Sequence, residues 1–295
     1  MMMLKSNYRT NICAALVVVL IASQFVFASL TSSQSAPKPL TRDETYFAIA
    51  RRNTEQSDSP VSNVVGVLDE LIEIGAITPG ADGKTTVVVK EKLASSAAYT
   101  QKAIRLVFAP AGDKWRWESF EDRTKQYPVE KLFPYAKDEI SKRRRAADEA
   151  WAKVLEAMNR EGEAAMKVLE TAKAIIRTDP TPLGPVAAAR KNLPEAIRKA
   201  KEYNDPGLLR RAFQELNQAV EPVATLSDQY PDLKTNDACV RLLDEFIAVQ
   251  KGVPVARKNY LEALTAYNEI VLRLPFGLVA YGLGFQKIDP LVEAE

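Results

Sequence analysis

Two tryptophans spaced two apart, Trp115 and Trp117 in the run Lys114-Trp115-Arg116-Trp117-Glu118, come nearest in this sequence to a recognition chemistry. On an extended strand alternate residues share a face, so both indoles point one way and Arg116 and Glu118 the other. An indole offers a flat apolar face with one donor, which suits stacking on a sugar or a peptide. Large aromatics are mostly buried, which favours packing of both rings beneath a helix instead. A second stretch, TPGADGKT at residues 78–85, departs from a phosphate-binding loop only at Thr78, where the first glycine belongs. Its surroundings are reversed, with a helical pattern before and a strand pattern after, so it reads as a turn.

Much common chemistry is excluded outright. The chain has no histidine, which removes the side chain that most readily shuttles protons near neutrality and the commonest transition-metal ligand. Ser-His and Cys-His nucleophile pairs are therefore impossible. Of the two cysteines, Cys13 lies in an N-terminal apolar run and Cys239 on a helical seam, where packing is its expected role. No paired carboxylates stand isolated in an apolar setting, and neither metal-ligand spacing nor a nucleophile elbow occurs. The expectation is a non-enzymatic protein with no cofactor and no metal. Setting aside Lys5 and Arg9, which precede the first acid, leaves 38 of the 40 basic residues against 38 acidic ones. A neutral body of this kind argues against nucleic acid as a partner.

The first residues read as an address. Lys5 and Arg9 precede an uncharged stretch from Ile12 to Phe27, and Val26-Phe27-Ala28 places small residues where signal peptidase cuts. Residues 1–30 are thus expected to be a signal peptide or a retained anchor. As a helix the apolar span of about 19 residues covers roughly 28 Å, just enough for a bilayer. If retained, it makes the membrane a partner, with the body outside the cytoplasmic membrane in the cell envelope. Residues 31–57, beginning with a Pro/Ser-rich run, read as a polar linker.

Residues 58–132 predict a small α+β module. A helical pattern after Pro60 (Val61, Val64, Val65, Leu68, Leu71, Ile72) is expected to stop at Gly75, and strands are expected at Thr85–Leu93, Lys102–Ala109 and Lys114–Phe120. From 137 onward the pattern is helical. Trp151, Leu155, Met158, Gly162, Ala165, Leu169, Ala172 and Ile176 recur at alternating spacings of four and three, which predicts a helix over 137–177. Shorter helices follow at 186–203 and after Asp205-Pro206. A last long one carries Cys239, Leu242, Phe246, Val249, Val253, Ala256, Tyr260, Ala263, Tyr267, Ile270 and Leu274, with Pro254 expected to kink it. Seams this regular need long neighbours, so residues 137–295 are expected to form an antiparallel bundle. The fold class is mainly α: a bundle of long helices preceded by a signal or anchor helix and the small α+β module.

The chain then runs through twelve uncharged residues, Leu274 to Phe285, too few to cross a bilayer as a helix. They are expected either to fold back and cap the bundle or to lie in a headgroup layer, and the acidic residues Glu293 and Glu295 favour capping. Together with Tyr230-Pro231-Asp232-Leu233-Lys234, Arg257, Tyr260, Tyr267-Asn268, Pro275 and Gly284-Phe285, this end of the chain resembles the LemA family of membrane-associated proteins. The resemblance is clear over about 225–295 and extends more loosely back to about 140. It implies an N-terminal membrane segment and a bundle of long antiparallel helices, in a family of generally unassigned molecular function. Asn159 to Glu163 departs from the family's Arg-Arg and Ile-Pro-Asn-Leu-Val stretch, Gly252 to Pro254 replaces a polar helical segment, and the 58–132 module is additional. The functional expectation is a scaffold or adaptor working through the bundle on unidentified protein partners. The alternative is a ligand-binding or cell-wall-fragment-binding module at 58–132.

Overall fold

The computed structural model describes residues 38–55, 58–92, 102–122, 124–176, 206–225 and 230–290, with isolated positions between 188 and 202 and at 228. The address segment 1–30, Asp205, Glu293 and Glu295 lie outside the described residues, as does most of the helix expected at 186–203.

The segment expected as linker contains a helix, α1 (Arg42–Thr54). The Thr41 side chain caps it, accepting from the Glu44 backbone N–H at 3.2 Å, with Asp43 and Glu44 in the first turn and Arg51 and Arg52 in the last. Ala48, Ile49 and Ala50 are buried, so this helix belongs to the core. Helix α2 (Val61–Leu71) buries Val64, Leu68 and Leu71 and gives way at once to a strand, β1 (Ile72–Pro79). The expected helix end at Gly75 is thus corrected to Leu71. Ile72 is already extended, at φ −131° and ψ 151°, and Ile72 and Ile74 join the core from the strand.

Strands β2 (Thr85–Glu91), β3 (Ala103–Ala111), β4 (Lys114–Asp122) and β5 (Lys125–Pro128) complete an antiparallel meander in the order β1-β2-β3-β4-β5. The glycine-rich run at 80–84 is the β1–β2 turn, closed by Gly80 N–H donating to the Lys84 carbonyl at 2.7 Å. Val87 lies across from Leu106, Val89 from Ile104 and Phe108 from Trp117, all on the face that α1 and α2 cover. Between Phe108 and Val107 the β4 register skips Glu118, and this bulge lets Trp117 and Phe120 both face inward.

Helix α3 (Val129–Ile176) leaves β5 without a break and starts eight residues before the expected 137. Val129, Leu132, Phe133, Ala136 and Ile140 continue the helical period through Pro134, whose lost N–H falls near the helix start. At 48 residues it is about 72 Å long. Helix α4 (Pro206–Ala224) contains Pro222 close to its end. Helix α5 (Asp237–Leu272) holds Pro254 without interruption.

Helices α3 and α5 run antiparallel. Arg144 sits over Tyr267 at 5.6 Å and Trp151 meets Tyr260 at 5.0 Å, while Tyr135, earlier on α3, meets Phe276 just past the end of α5 at 5.5 Å, so the contacts ascend on one helix and descend on the other. Met158, Ala165 and Leu169 pack with Cys239, Phe246 and Val253 along the seam, and α4 adds Ala212, Leu216 and Val220. One continuous apolar core joins sheet and bundle. Among the described residues no helix is long and apolar enough to cross a membrane.

Candidate functional site

Most of the residues that carried the family resemblance assemble at the two ends of α5, while Arg257 and Tyr260 lie along its middle, Tyr260 against Trp151. Tyr230 to Lys234 form a tight 3-10 turn, Pro231–Thr235, with Leu233 fully buried. The Asn236 side chain then caps α5 by accepting from Ala238 and Cys239 N–H, both at 3.1 Å. Cys239 is wholly buried, and burial pushes its thiol above the ordinary value, which makes a reactive thiolate less accessible.

At the other end the chain turns back on itself. After Leu274-Pro275, joined by a cis peptide, a short helix α6 (Gly277–Ala280) buries Leu278, Val279 and Ala280. Gly284 then takes φ +81°, a left-handed conformation that glycine adopts without strain. Phe285 N–H donates to Ala280 at 2.9 Å, and the Tyr267 hydroxyl donates to the Gln286 carbonyl at 2.8 Å. The Asn268 amide grips Ile288 twice, donating to its carbonyl at 2.8 Å and accepting from its N–H at 2.9 Å. The apolar stretch is therefore a cap.

Two buried polar side chains fasten that cap to the sheet module. Glu91, at 3% exposure, accepts from Leu274 N–H at 2.9 Å and from Lys102 N–H at 3.1 Å. Asn53 on α1 donates to the carbonyls of Ile49 and Leu278, at 2.9 and 2.8 Å. Gly282 packs so closely on Asn53 that a Cβ there would stand 2.6 Å from the Asn53 Cβ. Beside this joint an open cleft of about 830 Å³ is lined by Lys102, Asp122, Arg143, Glu269, Arg273 and Phe276. Lys102 pairs with Asp122 at 3.0 Å and Arg143 with Glu139 at 2.7 Å, so the cleft presents balanced charge.

Trp115 and Trp117 are not a platform. Trp117 is fully buried, its indole N–H donating to the Ser119 carbonyl at 2.9 Å, and Trp115 is 9% exposed with its N–H on the Lys38 carbonyl at 2.8 Å. Their faces are filled by the core that α1 completes, so the surface-stacking reading of this pair is corrected to packing.

One chemically distinctive group went unnoticed in the sequence. Glu161 on α3 is 3% exposed, and its Oε2 is buried without a hydrogen-bond partner. Desolvation raises its carboxyl from the ordinary 4.5 to about 7, against the opposing charge of Arg257. It stands three residues after Met158 and four before Ala165, an acid on the buried stripe. That spacing was the signal that could have found it.

Such a joint defines a class: a helix-backed antiparallel sheet clasped to an antiparallel bundle of long helices, with its most polar interactions spent on internal fastening. A model described as the LemA family matches residues 150–295, and the chain belongs to that family. No curated protein matches it.

Proposed function

We propose that this is a non-enzymatic, membrane-associated protein of the cell envelope whose bundle serves as a scaffold or adaptor for other proteins. The observation that carries the reading is where the family-marking residues sit. Tyr230, Leu233, Tyr267, Asn268, Pro275, Gly284 and Phe285 build turns, caps and clasps, and their chemistry holds a shape. Long helices held so firmly at one end present an extended surface to partners along the remainder. On α5 that surface includes Val240 and Val255, at 36% and 58% exposure. The basic-then-apolar start of the chain supports a membrane address for residues 1–30.

Photocrosslinking amino acids at Val240 and Val255 of the full chain, in its native membranes, test the proposal. A scaffold gives discrete heterologous protein adducts at these sites and fewer at positions on the sheet module. Adducts that are absent, or that contain lipid alone, would overturn it. N-terminal sequencing of membrane and soluble fractions tests the address, a membrane-bound form beginning at Met1 being the outcome expected of an anchor.

A further inference from the structure

We propose that Glu161 is the proton-binding element of a switch in the bundle: with a proton it seals the seam between α3, α4 and α5, and without one it loosens the half of the bundle remote from the sheet. The geometry supplies the argument. A carboxylate that gives up its hydration needs donors for both oxygens, and here Oε2 is buried with none. A carboxyl group that keeps its proton satisfies the same space without a charge.

Among the described residues, the neighbouring charges leave Glu161 one opposing cation. On its own helix Glu156, Arg160, Glu163 and Lys167 are exposed. From α4, Arg210 is half-buried while Arg211 and Glu215 are exposed, and Ala212, Leu216 and Val220 fill the interior. From α5, Asp244, Glu245, Lys251 and Lys258 are exposed and Arg257 is half-buried, and it is the Arg257 charge that bears on Glu161. Helical side chains lean towards the N-terminus of their own helix. Because α3 and α5 are antiparallel, Glu161 and Arg257 lean towards each other along the seam. Ionisation of Glu161 therefore draws Arg257 and water into an apolar interface.

The loosening is confined by what lies on either side. Towards the sheet, the aromatic contacts Trp151–Tyr260 and Tyr135–Phe276, the Arg144–Tyr267 contact and the Asn268 clasp lock the pair. Beyond Glu161 the buried residues of α3 are Gly162, Ala164, Ala165, Val168, Leu169 and Ala172, mostly small, so that this arm offers less apolar contact per turn than the one with Leu132, Phe133, Ile140, Val154 and Met158. A proton lost at Glu161 thus opens the more weakly packed arm.

The test is hydrogen exchange of the full chain between pH 5.5 and 8.5, corrected for intrinsic rates. Protection within 161–176 and 237–250 is expected to fall about tenfold or more as pH rises through neutrality, while 129–150 and 260–272 stay constant. In E161Q, which mimics the protonated acid, the distal segments should stay protected throughout. A pH-independent wild type, or a Glu161→Gln variant that loosens as the wild type does, would overturn the proposal. Should that variant fail to fold, the 13C carboxyl titration of Glu161, assigned with Glu161→Asp, decides: a midpoint near neutrality supports the switch and one in the ordinary carboxylate range refutes it.

Discussion

Gly282 shows how one missing atom positions two domains. Its Cα lies against Asn53, so an alanine methyl would meet the Asn53 side chain at a separation real contacts do not reach. Asn53 cannot retreat without releasing the Leu278 carbonyl. Gly282→Ala is expected to cost about 2 kcal/mol by overpacking, read as a lower midpoint in urea with an unchanged slope. Glu161 makes a stability prediction of its own. Its folded carboxyl is raised to about 7 from 4.5, so the folded state binds the proton more tightly than the unfolded one. That contribution is fully present below pH 4.5 and is lost as pH rises through about 7, a loss of about 3 kcal/mol at most. The difference in melting temperature between Glu161→Gln and wild type should therefore be larger at pH 8 than at pH 5. Equal differences at both would show that Glu161 does not titrate on folding.

At the scale of elements, the sequence was most legible where period and length agreed. The α3 and α5 seams, β2 to β4 and the turn at 80–84 follow directly from alternation and spacing. What stayed hidden had physical reasons. Strand β5 is four residues with every side chain exposed, so it carries no apolar alternation, and β1 abuts α2 with no intervening turn residue. Helix α1 was concealed by its mixed composition, although Thr41-Arg42-Asp43-Glu44 has the form of a capping box, threonine followed three residues later by glutamate. Thr41→Ala removes the acceptor for Glu44 N–H and is expected to lower stability by about 1 kcal/mol, measured by chemical denaturation. The joint itself was beyond reach from sequence. Nothing local announces that Glu91 will hold Leu274, or Asn53 will hold Leu278, across more than half the chain.

For the whole molecule, that joint makes the sheet and the bundle one cooperative unit. The apolar stretch at 274–285 is neither a loose tail nor a second crossing; it is the surface on which α1, α2 and the end of α5 converge. Removing 276–295 exposes the pockets of Leu278 and Val279, both almost fully buried, and takes away the carbonyl partners of Asn53, Tyr267 and Asn268. Burial of two such side chains alone is worth roughly 4 kcal/mol, a large part of the stability of a typical domain. The truncated chain is expected to melt well below the full one. Because Trp115 and Trp117 share the continuous core, their fluorescence should report the same lowered transition as far-UV circular dichroism of the helices. A truncation that melted unchanged but lost affinity for liposomes would mean that the stretch serves a membrane surface instead. Two separated transitions would mean that sheet and bundle fold independently, and the clasps at Asn53 and Glu91 would then hold together two domains that do not need each other.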